Sequence, residues 1–563
     1  MAVNIGLDFG TTYSVVSRLS KVIRDSSGSV LDYELEACLL SEQDKTPCQD
    51  SIVLKKANGE LEFGPLAKEG TGRKGTTLYK GFKMMLAEND AAVLEARGYD
   101  VEYTPKRIME AYLSDLLQKY LRVNGEERID KLVVGVPEIW FSEYETLDCR
   151  TALEDILEAF PFVERVELVS EPAAACAFFV ENYKNIKNEK YKGKILLVDY
   201  GGGTLDIALC DVKENGQCSE ISVIKRCGAG LNEEGYIGKA GLAFLEEIVQ
   251  ITLQRAGFSE QEILTNKKFY RCINSVETAL MHKMDDIEAN FCLGELIARE
   301  DMEDEFHIIE FDDEEYVITY GVLAKAYERI IRPVLDEKLE EMIRYMTDKG
   351  INFCAGTEDN FKIAMVGGFC NFFLTQEQIE QKFAKCAGDK RFSDIIRDRR
   401  ECEKAISYGT TLIAENIIGF RQLAPYHLGI ATGTENEIRE VFYVVHKGDE
   451  IVHNEPMFIK CPDGSEMCFT GQSIPMLLIN LTDDCDDSFA QWGEPQNRYK
   501  DDFKLEQDTY YRIGFSFDRS MILTLHLHCS EPKNPKVVSQ KRPIRLNNIY
   551  DILGDLLKVR GLK

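Results

Sequence analysis

Three short apolar runs, each closed by glycine, punctuate the first two thirds of the chain. Val3-Asn4-Ile5-Gly6-Leu7 leads into Asp8-Phe9-Gly10-Thr11-Thr12. Ile195-Leu196-Leu197-Val198 leads into Asp199-Tyr200-Gly201-Gly202-Gly203-Thr204, and Ile363-Ala364-Met365-Val366 into Gly367-Gly368. Runs of four or five mostly apolar residues ending in glycine predict buried strands that finish in tight turns. Between them the apolar spacing becomes helical. Residues 105–121 place Ile108, Tyr112, Leu113, Leu116 and Leu117 on one face, and residues 241–256 and 321–345 follow the same period. Strands alternating with helices predict an α/β architecture. The first two motifs repeat one order: apolar strand, Asp, aromatic residue, Gly, then Thr. That repeat predicts two similar halves whose glycine turns face each other across a cleft.

Past about residue 420 the helical period fades. Short apolar stretches take over at 442–445, 456–459 and 476–479, separated by turn signals at Lys447-Gly448-Asp449 and Pro462-Asp463-Gly464. This pattern predicts a small antiparallel β domain. The acidic stretch 483–487 is expected to be a solvated loop. Residues 549–559 predict a short closing helix, with Ile549, Ile552, Leu553 and Leu556 on one face.

The glycine turns carry the candidate chemistry. Backbone N–H groups in such a turn can approach a polyphosphate closely, because no Cβ intervenes. Gly10-Thr11-Thr12 and Gly201-Gly202-Gly203-Thr204 offer two such cradles. A carboxylate cannot contact phosphate favourably, but it can hold Mg²⁺, usually through water. Asp8 and Asp199 stand at strand ends just ahead of the cradles, which suits that role. Phosphoryl transfer then rests on positioning and electrostatic stabilisation.

Composition narrows the field. The net charge of −29, from 67 basic and 96 acidic residues, argues against nucleic acid as a partner. The 17 cysteines include no C-x-x-C pair, so a zinc ribbon is not expected and a reducing cytoplasm is. No basic, apolar leader opens the sequence, and no apolar run reaches about 18 residues, so neither a signal peptide nor a membrane span is expected. His526 and His528 alternate on a strand and could bind metal, although packing or exposure is the commoner fate. Trp140 is expected to pack rather than bind, and no cysteine has a nucleophile's context.

Residues 5–14 (Ile-Gly-Leu-Asp-Phe-Gly-Thr-Thr-Tyr-Ser) resemble the first phosphate motif of the DnaK-type 70-kDa heat-shock chaperones, which belong to the actin-like ATPase superfamily. Residues 197–207 resemble their second phosphate motif. Residues 169–177 (Val-Ser-Glu-Pro-Ala-Ala-Ala-Cys-Ala) and 405–411 (Ala-Ile-Ser-Tyr-Gly-Thr-Thr) resemble the two connecting motifs, and 365–369 the adenosine motif. All five stand in the family's order. The resemblance implies ATP or ADP with Mg²⁺ as ligands. It implies that Asp8 and Asp199 organise the metal, that Thr11, Thr12 and Tyr13 line the phosphates, and that Gly201, Gly202, Gly203 and Thr204 wrap them from the other half. Glu171 would help place metal and water, and Pro172 would couple nucleotide state to the rest of the chain. Lys83 resembles the catalytic lysine, with Lys80 as a rival. Gly367, Gly368, Phe369 and Asn371 would border the adenosine. Phe369, Cys370 and Asn371 stand where the family places small or polar residues and an arginine. Asn274, Glu277, Thr278 and Met281 stand where it supplies Glu, Lys, Arg and Ser, and the loop 228–235 is also atypical.

The fold implied is a two-lobed actin-like domain, two ribonuclease-H-like lobes, over residues 1–420. A β-sandwich-like substrate domain with a short terminal helix and no full helical lid would occupy 421–563. Pro425-Tyr426-His427-Leu428-Gly429-Ile430 resembles the start of that domain. Residues 417–423 take the place of the interdomain linker, with glycine and charge inserted. The expected function is an ATP-hydrolysing, chaperone-like protein that binds unfolded or extended polypeptide. J-domain and nucleotide-exchange co-chaperones are the implied partners, with no nucleic acid and no membrane. A metabolite kinase, a nucleotide-dependent scaffold and a filament-forming actin relative remain as alternatives on the same superfamily fold.

Overall fold

The computed structural model describes residues 3–26, 30–41, 44–88, 90–142, 146–215, 218–230, 240–266, 268–290, 304–353, 360–387, 395–396, 403–434, 437–461, 463–470, 476–493, 509–530 and 538–546. The chain separates into two compact units. One takes in Met1–Ile139, Leu157–Arg165 and Val169–Gly419, and the other Trp140–Ile156, Val166–Leu168 and Phe420–Lys563.

The first unit begins with β1 (Asn4–Phe9), β2 (Tyr13–Arg24), β3 (Val30–Ala37) and β4 (Gln49–Asp50). A small separate sheet follows, made of β5 (Ile52–Lys55), β6 (Leu61–Phe63) and β7 (Thr77–Lys80) in the order β6-β5-β7. β8 (Lys131–Val136) and β9 (Val166–Ser170) complete the first large sheet, ordered β3-β2-β1-β8-β9 with β4 on β2. Next come β10 (Gly193–Tyr200), β11 (Leu205–Asn215) and β12 (Cys218–Ala229), then a hairpin of β13 (Glu305–Phe311) and β14 (Glu314–Thr319). β15 (Phe361–Val366), β16 (Ile395–Ile396) and β17 (Ile418–Phe420) join the second large sheet, ordered β16-β15-β10-β11-β12-β17.

The two large sheets share one plan. An antiparallel meander (β1-β2-β3 or β10-β11-β12) is extended by a parallel strand on its first member, β8 beside β1 and β15 beside β10. A parallel neighbour needs a long crossover, and helices supply it. The helix Pro105–Asn124 precedes β8; Gly241–Arg255 and Arg332–Asp348 precede β15. β8 is buried along its whole length, as covered parallel strands are.

Local chemistry sets the helix ends. Thr104 caps Pro105–Asn124 by accepting the Arg107 N–H, Pro105 occupies the first turn, and Gly125 closes the helix at φ 68°. The predicted helix at 321–345 is interrupted. Tyr320–Ala326 runs into a π-turn over Tyr327–Ile331 before Arg332–Asp348. Pro333 explains it: its ring clashes with the carbonyl four residues back and it donates no N–H, so the preceding turn widens and Arg332 N–H bonds to Tyr327 O.

In the second unit lie β18 (His427–Thr434), β19 (Glu437–Val445), β20 (Met457–Phe458), β21 (Phe469–Thr470), β22 (Met476–Asn480) and β23 (Gln491–Gly493). β24 (Tyr510–Phe517), β25 (Leu523–Ser530) and β26 (Val538–Arg545) follow. One sheet runs β19-β18-β22-β23, the other β20-β24-β25-β26 with β21 also on β24, and the pairings are antiparallel. β25 alternates as the sequence predicts: Leu523, Leu525 and Leu527 are buried, and His526 and His528 are half-buried. His526 bonds Ser516 and His528 packs on Phe458, so both are held by packing. Trp140 is buried. The predicted helix at 549–559, most of the loop at 228–235 and Pro462 lie outside the described residues. Among those described, no helix is long and apolar enough to cross a membrane, and every cysteine is a free thiol.

Candidate nucleotide site

β1 carries Asp8 to the end of its strand, paired with Gly135 of β8, and the chain then turns at Gly10. A Cβ on Gly10 would lie 2.2 Å from Tyr13 O, so only glycine fits this turn. The second turn leaves β10 after Asp199 and Tyr200. Its Gly202 and Gly203 lie against the first turn: a Cβ on either would stand 2.1 Å from Thr12 Oγ1 or 2.4 Å from Thr11 Oγ1. The third turn follows β15. Gly367 sits there at φ +82°, where a Cβ would meet Asp199 Oδ1 at 2.4 Å. Three glycine turns thus converge around Asp199. The start of the helix Gly241–Arg255 supports the second, with Gly241 N–H donating to Gly201 O (3.2 Å) and Leu242 N–H to Gly202 O (2.7 Å).

Beneath the turns lies a concentration of negative charge. Glu171, Asp199 and Asp206 are buried, and Asp8 keeps a partial opening to solvent. Removal from water, with Glu171 adding repulsion, pushes the Asp8 carboxyl up to about 8. The same two causes push Asp206 up to about 8, against a hydrogen bond from Thr204. Asp199 is held well above the carboxylate range by burial and then by Glu171, Asp206 and Asp8. Lys83 is the counter-charge, with Nζ 2.5 Å from Glu171 Oε1 and 2.5 Å from Phe9 O. Lys80 lies elsewhere, bonding Asn274 Oδ1 (3.2 Å) and Glu277 Oε2 (3.4 Å) on the helix Phe269–Asn290.

These residues fit a hard divalent cation. Asp199 Oδ2 and Asp206 Oδ2 are buried with no hydrogen-bond partner. Buried carboxylates without partners either take up protons or hold a metal, and Mg²⁺ selects oxygen ligands. The converging turns supply backbone amides for an anion beside it.

Asp206 lies within the second phosphate motif at 197–207, where the resemblance assigns it no role. Its signal was an acid in the apolar run Leu205-Asp206-Ile207-Ala208-Leu209, and its Oδ1 accepts the Ile139 N–H at 3.2 Å. Near the third turn, Phe369 meets Tyr200 and Phe244 edge-on at 5.4 Å and 5.2 Å and Phe372 at 5.1 Å. Gly368 is exposed, and the side chain of Asn371 lies outside the described residues. Tyr13 OH reaches Met281 Sδ at 3.9 Å. The connecting motifs meet: a Cβ on Gly409 would stand 1.7 Å from Ala174 O, which brings the helices Ala405–Ala414 and Glu171–Lys187 into backbone contact.

The family model described as Hsp70 protein matches residues 74–222. The chaperone protein DnaK of Mycoplasmoides gallisepticum (strain R(low / passage 15 / clone 2)) is 28% identical over 210 residues, covering 37% of this chain and 31% of that protein. Over this region the chain is similar to the Hsp70, DnaK-type family. The chaperone protein DnaK of Mycoplasmopsis synoviae (strain 53) is similar at 27% over 211 residues, covering 37% and 30%. The matched region therefore spans less than a third of the length of these curated DnaK relatives. The Hsp70 match holds Lys83, Glu171, Asp199, Gly201, Gly202, Gly203, Thr204 and Asp206, while Asp8 and Gly367 lie outside it. The mixed α/β fold with several sheets is consistent with an Hsp70 ATPase.

Proposed function

We propose that this Hsp70-type chain binds ATP and ADP with Mg²⁺ and hydrolyses ATP at the Asp8/Asp199 site, as a chaperone-type ATPase. One observation carries the reading: buried carboxylates, opposed by the ammonium of Lys83, lie beneath three converging glycine turns. When bound, Mg²⁺ supplies charge neutralisation on the phosphate oxygens. Asp8 and Asp199 hold it, and Asp206 adds to the field that attracts it. The turns at 10–13 and 201–204 hold the phosphates through backbone N–H groups and the hydroxyls of Thr11, Thr12 and Thr204. Lys83, tied to Glu171, positions the attacking water and offsets charge developing on the γ-phosphate. Gly367, Gly368, Phe369 and Asn371 border the nucleoside.

In this reading residues 1–420 form the two-lobed actin-like domain, and the two sheets of like topology are its halves. Residues 421–563 form a β-sandwich-like part without a full helical lid, which takes unfolded or extended polypeptide. J-domain and nucleotide-exchange proteins are its proposed partners. The free thiols suit a cytoplasmic setting.

ATP turnover by wild type, Asp8→Asn and Thr204→Val tests the site. Each substitution should lower turnover by about a hundredfold or more, in line with loss of one electrostatic group. Asp8→Asn should at the same time raise the melting temperature in EDTA at about pH 7, because an amide does not carry the cost of neutralising or desolvating a carboxylate on folding. A loss of turnover therefore would not reflect unfolding. Equal turnover by all three proteins would sink the assignment.

A further inference from the structure

At one end of the sheet β19-β18-β22-β23, three strand termini bring together side chains that the nucleotide site does not use. His427 opens β18, His446 follows the last residue of β19, and Cys485 lies in the loop after β22. One ligand atom from each residue lies within 4.8 Å of the other two. We propose that His427, His446 and Cys485 form a zinc site, with the fourth position open to water.

The geometry of the two imidazoles carries this furthest. His427 is buried, and its Nε2 stands 2.9 Å from Thr482 O. A carbonyl can only accept, so Nε2 bears the proton and Nδ1 is the unprotonated, accepting nitrogen. Ligating histidines are commonly oriented in this way, with the second ring nitrogen donating to a backbone carbonyl. The His446 Nδ1 lies 3.2 Å from the His427 Nδ1. Two imidazole nitrogens on one tetrahedral zinc, each at about 2.0–2.1 Å, stand about 3.3 Å apart. The spacing already matches. A zinc–thiolate bond of about 2.3 Å sets nitrogen and sulfur about 3.6 Å apart, and rotation about the Cys485 side chain covers the remaining gap. Lys447 N–H now donates to His427 Nδ1 at 3.0 Å, and a bound metal replaces that bond.

The loop that presents the thiol is already built. Asn480 is buried, takes the Thr482 N–H and hydroxyl on its Oδ1 and donates to Asp486 O. Cys485 itself is held at φ 59°. Two imidazoles and a thiolate are soft enough to select zinc over Ca²⁺ or Mg²⁺, which seek oxygen. Asp484, Asp486 and Asp487 flank Cys485 in the chain and add negative charge that favours a cation, while Asp483 pairs with Lys447 Nζ at 2.8 Å.

The test uses the full chain freed of metal with a chelator, then titrated with Zn²⁺ against a chromophoric competitor and separately with Co²⁺. Wild type should bind Zn²⁺ and give a thiolate-to-cobalt absorption band. Cys485→Ser should lose the band, and both Cys485→Ser and His446→Ala should bind Zn²⁺ at least about tenfold more weakly, the minimum expected when even an orienting partner is lost. His526→Ala should match wild type. No cobalt–thiolate band in wild type, a band that survives Cys485→Ser, or unchanged affinity in His446→Ala would each overturn the proposal. ATP turnover is not the readout, so failure here leaves the nucleotide site untouched.

Discussion

Lys83 resembles a catalytic lysine on its sequence surroundings, and its ammonium is buried between Glu171 and the Phe9 carbonyl. Burying one partner of an ion pair alone is costly, and Glu171 beneath the glycine turns supplies the partner for Lys83. Histidine shows the opposite balance in the second unit. Burial, and then His528, hold His526 below the ordinary histidine value of 6.5. Burial also lowers His528. An imidazole whose folded pKa lies below its unfolded value binds fewer protons folded than unfolded. Through these two imidazoles alone, acidification past about pH 6.5 favours the unfolded chain. In denaturant titrations from about pH 7.5 to about pH 5.5, His526→Gln should gain stability relative to wild type as pH falls, while the raised carboxylates Asp8 and Asp206 add an opposite pH dependence common to both proteins. An identical pH profile for the variant would show that His526 contributes nothing to it.

Between elements, contact is decided by single small residues. Gly409 lets the helix Ala405–Ala414 rest on the backbone of Glu171–Lys187, and Gly6 lets β1 approach Ser407 O and Thr411 N on the same helix. Ser17 Oγ adds a hydrogen bond to Ser407 O at 2.6 Å. A side chain at 409 meets a carbonyl, and backbone cannot swing aside as a flexible side chain can. Overpacking a core costs about 1–3 kcal/mol, so Gly409→Ala should sit at or above about 3 kcal/mol. Urea unfolding measures it; a cost below about 0.5 kcal/mol would mean the helices separate freely. The π-turn before Pro333 belongs to this scale too. The helical period of 321–345 was legible, but the widened turn follows from one missing N–H and one steric clash.

Across the whole chain, negative charge dominates. At −29 the chain repels itself. Screening should therefore stabilise it. Raising NaCl from about 10 mM to about 150 mM shortens the Debye length from about 30 Å to about 8 Å and should raise the melting temperature. A fall would mean that ion pairs such as Lys382–Glu340 and Arg24–Glu415 outweigh the net repulsion. The second compact unit also includes Trp140–Ile156. Arg150 is buried there, donating to the carbonyls of Ser520 (3.2 Å) and Met521 (2.9 Å), and Arg545 pairs with Glu154 and Asp155.

The sequence by itself determined the strands that end in Asp8, Asp199 and Val366, the glycines after them, and the change to β texture past residue 420. Those features are local: an apolar run and a glycine turn depend on neighbours in the chain. It also determined the order of the family motifs. The tertiary structure alone decided which lysine meets the carboxylates, because Lys80 and Lys83 differ only in which way a short turn aims them. It alone joined Asp206 to the acidic cluster, and it alone gathered His427, His446 and Cys485 from three strand ends. Such meetings depend on sheet order and register, which no local pattern encodes.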